Sequence, residues 1–199
     1  MERQVQIIHF FFIFLFIAGF LPAQERWNYS ADEMEKTIIN GKEVRRLNEN
    51  VRFVKTDRVI LTDNASQYIK EDVLHLNGNT MMISGLDTLT CDSMIYWSKL
   101  DSIYAKGEIR YAHGPSRGIF GDEMEIQYED SVLKMIRVLK NAFAYNDLNV
   151  RINKDGPYLH FRDKMSSKEM VAYFEGEHIS HLKLINMAKT SYHVVDDSL

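Results

Sequence analysis

Short runs of alternating apolar and polar residues recur along most of the chain. Examples are Val51-Arg52-Phe53, Ile103-Tyr104-Ala105, Ile109-Arg110-Tyr111 and Val150-Arg151-Ile152. A period of two places successive side chains on opposite faces of a strand, and Val, Ile, Tyr and Phe favour that conformation. After the N-terminal apolar segment, no stretch sustains the period of an amphipathic helix. The pattern predicts an all-β fold, with at most a short helical turn at residues 31–36.

The strand signals are organised in a repeat. Four similar motifs, at residues 31–34, 62–65, 91–94 and 121–124, carry aspartates that are 31, 29 and 30 residues apart. A polar turn and then a Gly- or Asn-containing break between apolar residues follow each motif, so each copy reads as two strands. We expect a fifth, divergent copy from Lys168 to Ala188, preceded by an excursion at residues 146–163 that turns at Asp155-Gly156-Pro157. Such regular strand pairs predict a stacked antiparallel array.

The N-terminus differs from the rest of the chain. Residues 7–21 are almost wholly apolar, and small and helix-breaking residues follow them. This is typical of a secretory signal peptide, with cleavage after Ala23 or Gln24. An uncleaved membrane anchor is the alternative. We therefore expect residues 1–23 to be a signal peptide and residues 27–199 to form one β domain of an exported protein.

Composition narrows the class of partner. The formal net charge is -4 and 45% of the residues are hydrophobic, with an ordinary charged fraction of 26%. A nucleic-acid-binding protein would present a basic surface, so we expect no nucleic-acid partner. The chain has a single cysteine, Cys91, and can therefore form neither an internal disulfide nor a cysteine metal cluster.

Catalytic chemistry finds little support in the sequence. The aspartates at 32, 63, 92 and 122 recur once per repeat, so we expect them to lie in a row and to hold turns rather than to converge on a metal. His178 and His181 are three residues apart, which places them on opposite faces of a strand. There is no nucleophile elbow and no phosphate-binding loop. We expect no catalytic residues, no metal and no cofactor.

Motifs through most of the chain resemble the OstA-like family. Near the start these are Ala31-Asp32-x-Met34, Asn40-Gly41-Lys42 and Leu47-x-x-Asn50-Val51-x-Phe53. Similar elements follow in Leu61-x-Asp63-x-Ala65, in Gly78-Asn79 and in the last copy at Met170-x-Ala172-Tyr173-Phe174. The chain departs from the Gly-Asn pattern at Glu49 and Lys140, which affects strand boundaries rather than fold class.

The resemblance implies a β-jellyroll of the LptA type, in which antiparallel strands enclose an apolar groove. It implies a periplasmic carrier or bridge that binds the lipid A acyl chains of lipopolysaccharide and delivers them towards the outer membrane. It also implies that edge strands join the domain to other jellyroll transport proteins, including copies of itself. Two alternatives stay open: a membrane-anchored LptC-like partner, and a protein-binding assembly module of an outer-membrane translocon.

Methionine and branched side chains suit such a groove, because they adapt to an irregular hydrocarbon ligand. The candidates are the inward members of the alternating strands, and the alternative for each is a place in a closed core. They are Phe53, Leu61, Met82, Leu89, Met94, Ile109, Ile119, Met124, Ile126 and Phe143.

Overall fold

The all-β prediction is confirmed. The computed structural model describes residues 27–151, 157–176 and 178–193. Of these residues 81% are in strands and none is helical, and one antiparallel sheet of 14 strands contains them without closing on itself. The helical turn predicted at residues 31–36 is wrong, since Glu33–Ile39 is a strand paired with Lys42–Asn48. The predicted signal peptide and its cleavage site lie outside the described residues.

The strands follow one another with short turns. In chain order they are β1 (Asn28–Ser30), β2 (Glu33–Ile39), β3 (Lys42–Lys55), β4 (Arg58–Tyr68), β5 (Val73–Ser84), β6 (Asp87–Trp97), β7 (Ser102–His113), β8 (Arg117–Glu129), β9 (Val132–Lys140), β10 (Ala142–Arg151), β11 (Tyr158–Ser167), β12 (Glu169–Glu175), β13 (His178–Ile185) and β14 (Lys189–Ser191).

Each long strand from β3 to β8 is divided by a shift in register near its middle, and these shifts line up across the sheet. The sheet therefore consists of two arms that meet at a common corner. Arm A runs in the order β1, β3, β4, β5, β6, β7, β8, β10, β11 and β14. Arm B runs in the order β2, β3, β4, β5, β6, β7, β8, β9, β12 and β13.

The corner depends on residues that accept a left-handed backbone. Gly78 and Asn79 have φ of 82° and 41°, and Gly107 and Glu108 have φ of 78° and 39°. Glycine adopts this region without strain and asparagine tolerates it, so the Gly- or Asn-containing breaks of the repeat are the places where the strands bend. Two successive residues of this kind interrupt the ladder and turn the strand into the other arm.

The repeated aspartates hold the same corner. Asp63 accepts a hydrogen bond from the Asn79 amide at 2.8 Å. The same contact joins Asp32 to Asn50 and Asp122 to Asn141, at 2.5 and 2.6 Å. All three carboxylates are exposed and lie one per repeat along the bend. Their role as turn-holding groups agrees with the expectation from their spacing.

The predicted excursion at residues 146–163 is an elongated hairpin. β10 and β11 pair over ten positions, from Ala142 opposite Ser167 to Arg151 opposite Tyr158. β8 pairs with β10 only as far as Asn146, so the distal part of the hairpin projects beyond the edge of its neighbour. Apart from Pro157, the predicted turn lies outside the described residues. The projection accounts for the longer interval before the last repeat.

Candidate functional site: a trough between the two arms

One apolar row crosses the inner face of arm A. Register places its members side by side on successive strands, so each contacts the next across the ladder. The row consists of Phe53, Ile60, Met82, Leu89, Tyr111, Ile119, Ala144 and Met165. Its members as far as Ile119 are buried, while Ala144 and Met165 are half-buried.

Arm B presents a matching face. One of its inward rows consists of Leu47, Ala65, Leu76, Met94, Ala105, Met124, Val138, Met170 and Leu184. These residues and the row of arm A belong to one contiguous hydrophobic cluster. The two arms therefore fold towards each other and enclose the apolar interior.

The interior is filled towards the N-terminal end. Phe53 and Ile60 of arm A and Tyr96 of arm B are all 0% exposed. Trp27 closes this end: its ring makes edge-to-face contacts with Phe53 and Tyr96, at centroid distances of 6.2 and 5.6 Å, and its indole N–H donates to Ser98 Oγ at 3.3 Å. Because Trp27 precedes arm A and Ser98 lies at the end of arm B, this side chain joins the two arms.

An ion pair between a buried arginine and a partly buried aspartate joins the two arms beside this core. Arg58 at the start of β4 forms a two-pronged salt bridge with Asp101, between β6 and β7, and the second contact is 3.1 Å long. Tyr96 accepts from Arg58 at 3.0 Å and donates to Asp101 at 2.7 Å. Burial alone lowers the pKa of Arg58, but the hydrogen bond with Asp101 and the nearby charge outweigh it and raise the pKa above its usual value. Arg58 thus stays charged.

Towards the C-terminal end the arms separate into an open trough of about 1070 Å³. Arm A contributes the far end of its apolar row together with Leu148, and arm B contributes β12 and β13. The apolar side chains that line the trough are Leu86, Tyr111, Ile119, Val132, Leu133, Ala144, Leu148, Met165, Met170, Ala172, Phe174, Ile179 and Leu182. The volume is slightly larger than the usual range of ligand-binding pockets, roughly 300–1,000 Å³.

Alanines from both arms border the trough. Where the N-terminal part of the row places Phe53, Ile60 and Met82, the C-terminal part places Ala144, and arm B places Ala172 in the same trough. Alanines also occur in the filled part, at Ala65 and Ala105 of the arm B row, and both are buried. The size of a single inward residue therefore does not by itself decide whether the space between the arms is filled.

A polar row runs beside the apolar row on the same inner face of arm A. In each strand its member lies two residues from the apolar-row member, towards the open edge of the arm. Its members, again side by side on successive strands, are Lys55, Arg58, Ser84, Asp87, His113, Arg117, Asn146 and Asp163. The last six of these line the trough. The trough thus has an apolar floor and a polar rim along arm A.

Both carboxylates of the polar rim have hydrogen-bond partners. Asp87 contacts His113 Nδ1 at 2.7 Å. Asp163 accepts from the backbone N–H of His193 at 2.9 Å and contacts its Nδ1 at 3.1 Å, and these two hydrogen bonds, in that order of size, lower the pKa of Asp163. The rim is therefore a structured set of polar groups and not a random solvent-exposed edge.

The ten groove candidates separate into three groups. Phe53, Met82, Leu89, Met94, Ile109, Met124 and Ile126 are buried in the filled core. Ile119 is the one candidate that lines the trough. Leu61, which is 37% exposed, and Phe143, which pairs with Phe120, lie on the outer face of arm A, so their assignment as inward residues is corrected.

The alternation was misread at Leu61 and Phe143 because each is next to the true inward residue. Ile60 and Ala144 occupy the inward positions. The residues of β11 to β13 that line the trough, and the whole polar rim, are not among the predicted site residues. A usable signal existed: in Arg58/Ile60, Asp87/Leu89 and Arg117/Ile119, a polar residue precedes the apolar-row residue by two positions.

Other candidate chemistry is not assembled at the trough. In the described part of the chain, no three His, Cys, Asp or Glu side chains are grouped closely enough to hold a metal ion. Cys91 is buried, and burial raises the pKa of its thiol to about 12. Within residues 27–151, 157–176 and 178–193, no helix of bilayer-spanning length and hydropathy occurs.

No family model matches the chain, and no curated protein is significantly similar to it in sequence.

Proposed function

We propose that this protein is an exported, OstA-like carrier that binds the acyl chains of lipopolysaccharide in the periplasm and carries them towards the outer membrane. In this proposal residues 27–199 form a β-jellyroll of the LptA type and act as a binding protein rather than an enzyme. The observation that carries the proposal is the open trough with an apolar floor between two β arms.

The physical reasoning is that a fatty tail needs shelter from water and no reaction. Removing apolar surface from water contributes roughly 25 cal/mol per Å². The trough offers Met165, Met170 and Leu182 as lining, and methionine side chains adapt to flexible ligands. Its polar rim can remain in contact with water while a tail lies on the floor.

Photocrosslinking tests the proposal. A photoreactive amino acid at position 165, in the trough, should crosslink to lipopolysaccharide added to the exported protein. The same group at position 61, on the outer face of arm A, serves as the matched control and should give little lipid crosslinking. Crosslinks from position 165 only to protein would contradict the carrier and support the alternative of a protein-binding assembly module.

Edge strands favour contacts with other jellyroll proteins or with further copies of this chain. In the described residues β2 pairs only with β3, and β13 pairs only with β12, which leaves one side of each available. Such edges readily accept another strand. Disulfide trapping between cysteines placed at Ile38 and Ile179 of separate molecules would detect head-to-tail pairing, and its absence at high protein concentration would exclude pairing between copies.

The membrane-anchored LptC-like alternative concerns the N-terminal segment. Mass spectrometry of the exported protein distinguishes the two forms. A mature chain that begins at Gln24 or Glu25 supports the carrier, whereas retention of residues 10–16 supports the anchored partner.

A further inference from the structure

The polar rim of the trough contains a defined group of charged and amide side chains, whereas a lipid tail alone needs only apolar contacts. His113, Arg117 and Asn146 lie side by side on β7, β8 and β10, with Asp87 and Asp163 at the two ends of this group. All five line the trough. Each lies two residues along its strand from a member of the apolar row, a separation of roughly 7 Å. A molecule with its tail on the floor would therefore place its polar end against this group.

The charged side chains of this group differ in whether a hydrogen bond or ion pair engages them. Asp87 is paired with His113, and Asp163 is held by His193. Asp147, which also borders the trough, is bound on its outer side by Arg162, with one contact of 2.7 Å. Among the described residues, no hydrogen bond or ion pair occupies the guanidinium of Arg117, which is exposed.

Other charges near the mouth do not neutralise Arg117. Asp57 borders the same trough and accepts a hydrogen bond from Ser84 at 3.4 Å. It precedes β4, four strands away from β8 in arm A, which corresponds to roughly 19 Å at the usual strand spacing. His178 of β13 lies across the mouth and adds no negative charge. Among the described residues that line the trough, Arg117 is therefore the side chain whose positive charge remains available to a ligand.

We propose that the rim group centred on Arg117 is a headgroup site that selects amphiphiles with a singly charged anionic head. This inference rests on the proposed function, since it assumes that a tail occupies the trough. A guanidinium binds an oxyanion through two parallel hydrogen bonds, and the Asn146 amide supplies a further donor and acceptor for hydroxyl or carbonyl groups. The flanking carboxylates of Asp87 and Asp163 disfavour a second negative charge on the head.

Binding of four amphiphiles with the same dodecyl tail, each below its micelle concentration, tests this inference. The probes are dodecanoate, dodecyl phosphate, dodecyl maltoside and dodecyltrimethylammonium. We expect dodecanoate to bind about tenfold more tightly than the uncharged maltoside, as one charge-assisted contact implies. Dodecyl phosphate should gain less than dodecanoate, and the cation should bind most weakly.

Variants assign the selectivity to Arg117. Arg117→Gln should remove the preference for dodecanoate while leaving maltoside binding unchanged. Arg110→Gln removes the same charge from the outer face of arm A, on the neighbouring strand, and should keep the wild-type order. Both positions are exposed, and circular dichroism would verify that both variants fold.

The outcomes separate the two proposals. If no probe binds to the wild-type protein, the carrier function itself fails. If the probes bind but head charge has no effect, or Arg117→Gln and Arg110→Gln behave alike, the headgroup site is overturned and lipid carriage stands. A preference for the phosphate over dodecanoate would overturn the selection of a single charge.

Discussion

The corner of the sheet allows a quantitative prediction for Gly107→Ala. Gly107 has a φ of 78°, and a methyl group added there would lie 2.7 Å from Asp92 Cγ and 2.9 Å from Asp92 Cβ. The left-handed backbone alone costs alanine about 1 kcal/mol. Displacing the carboxylate adds roughly 1–3 kcal/mol, the usual cost of overpacking. We therefore expect the free energy of unfolding to fall by about 3 kcal/mol.

Two controls isolate the contact between Gly107 and Asp92. Gly114 has a φ of 58° and no atom within 4 Å of an added methyl group, so Gly114→Ala should cost only the backbone component of about 1 kcal/mol. In the Asp92→Gly background, which lacks both the carboxylate and the β-carbon of residue 92, the clash is absent, and Gly107→Ala should again cost about 1 kcal/mol. Urea unfolding measures the wild-type protein, the three single variants and the double mutant.

The double-mutant cycle can refute the reasoning. A clash predicts a coupling energy between positions 92 and 107 well above the few tenths of a kcal/mol seen for independent sites. If Gly107→Ala costs no more than Gly114→Ala, or if Asp92→Gly fails to relieve that cost, the close approach of the aspartate to the bend does not constrain the corner.

Three further predictions concern the core and the surface ion pairs. Arg58→Met leaves the Asp101 carboxylate without its cation and should lower the free energy of unfolding by about 3 kcal/mol, measured by urea titration. The control Arg52→Met, on the exposed outer face, should change the free energy of unfolding by less than about 0.5 kcal/mol. Burial raises the pKa of Cys91 to about 12, so a thiol reagent at mildly alkaline pH should label the unfolded but not the native protein; rapid native labelling would show that the core opens. Hydrogen bonds from Lys140 and, to a smaller extent, from Tyr104 lower the pKa of Glu123. Ionised Glu123 therefore stabilises the fold above the ordinary glutamate pKa, and this contribution is lost as the pH falls below about 4. Glu123→Gln should reduce the change in the free energy of unfolding over this pH range, and an unchanged slope would contradict the prediction.

The sequence predicted the repeat and the strand class because both are local. Alternation defines strands within a few residues, and the Gly- or Asn-containing breaks mark positions where only some residues accept a left-handed backbone. The bend at Gly78 and Gly107 and the regular Asp63 contact follow from such local signals. The failed helical turn at residues 31–36 was also a local inference, but pairing of β2 with β3 overrides weak helix propensity.

The site depended on information that is not local. Whether an inward residue fills a core or lines a trough is decided by the residue that faces it from the other arm. Met82 and Met165 have the same chemistry and lie in the same row, yet the first is 1% exposed and the second borders the trough. Pairing between distant strands sets this difference, and a single sequence does not reveal it. The polar rim likewise becomes a row only when the register is known.

A single repeat thus produces two regions with different physical roles. Large inward side chains such as Phe53, Ile60 and Tyr96 fill the N-terminal part, and each contributes roughly 1.5–3 kcal/mol when fully buried. In the C-terminal part Ile119, Met165 and Leu182 line the open trough, where apolar surface gains nothing until something covers it. Because strands β7 and β8 border both regions, the packing of the filled part can fix the backbone around the open part. The stability needed to maintain an empty trough therefore comes from the part of the sheet that cannot bind a ligand.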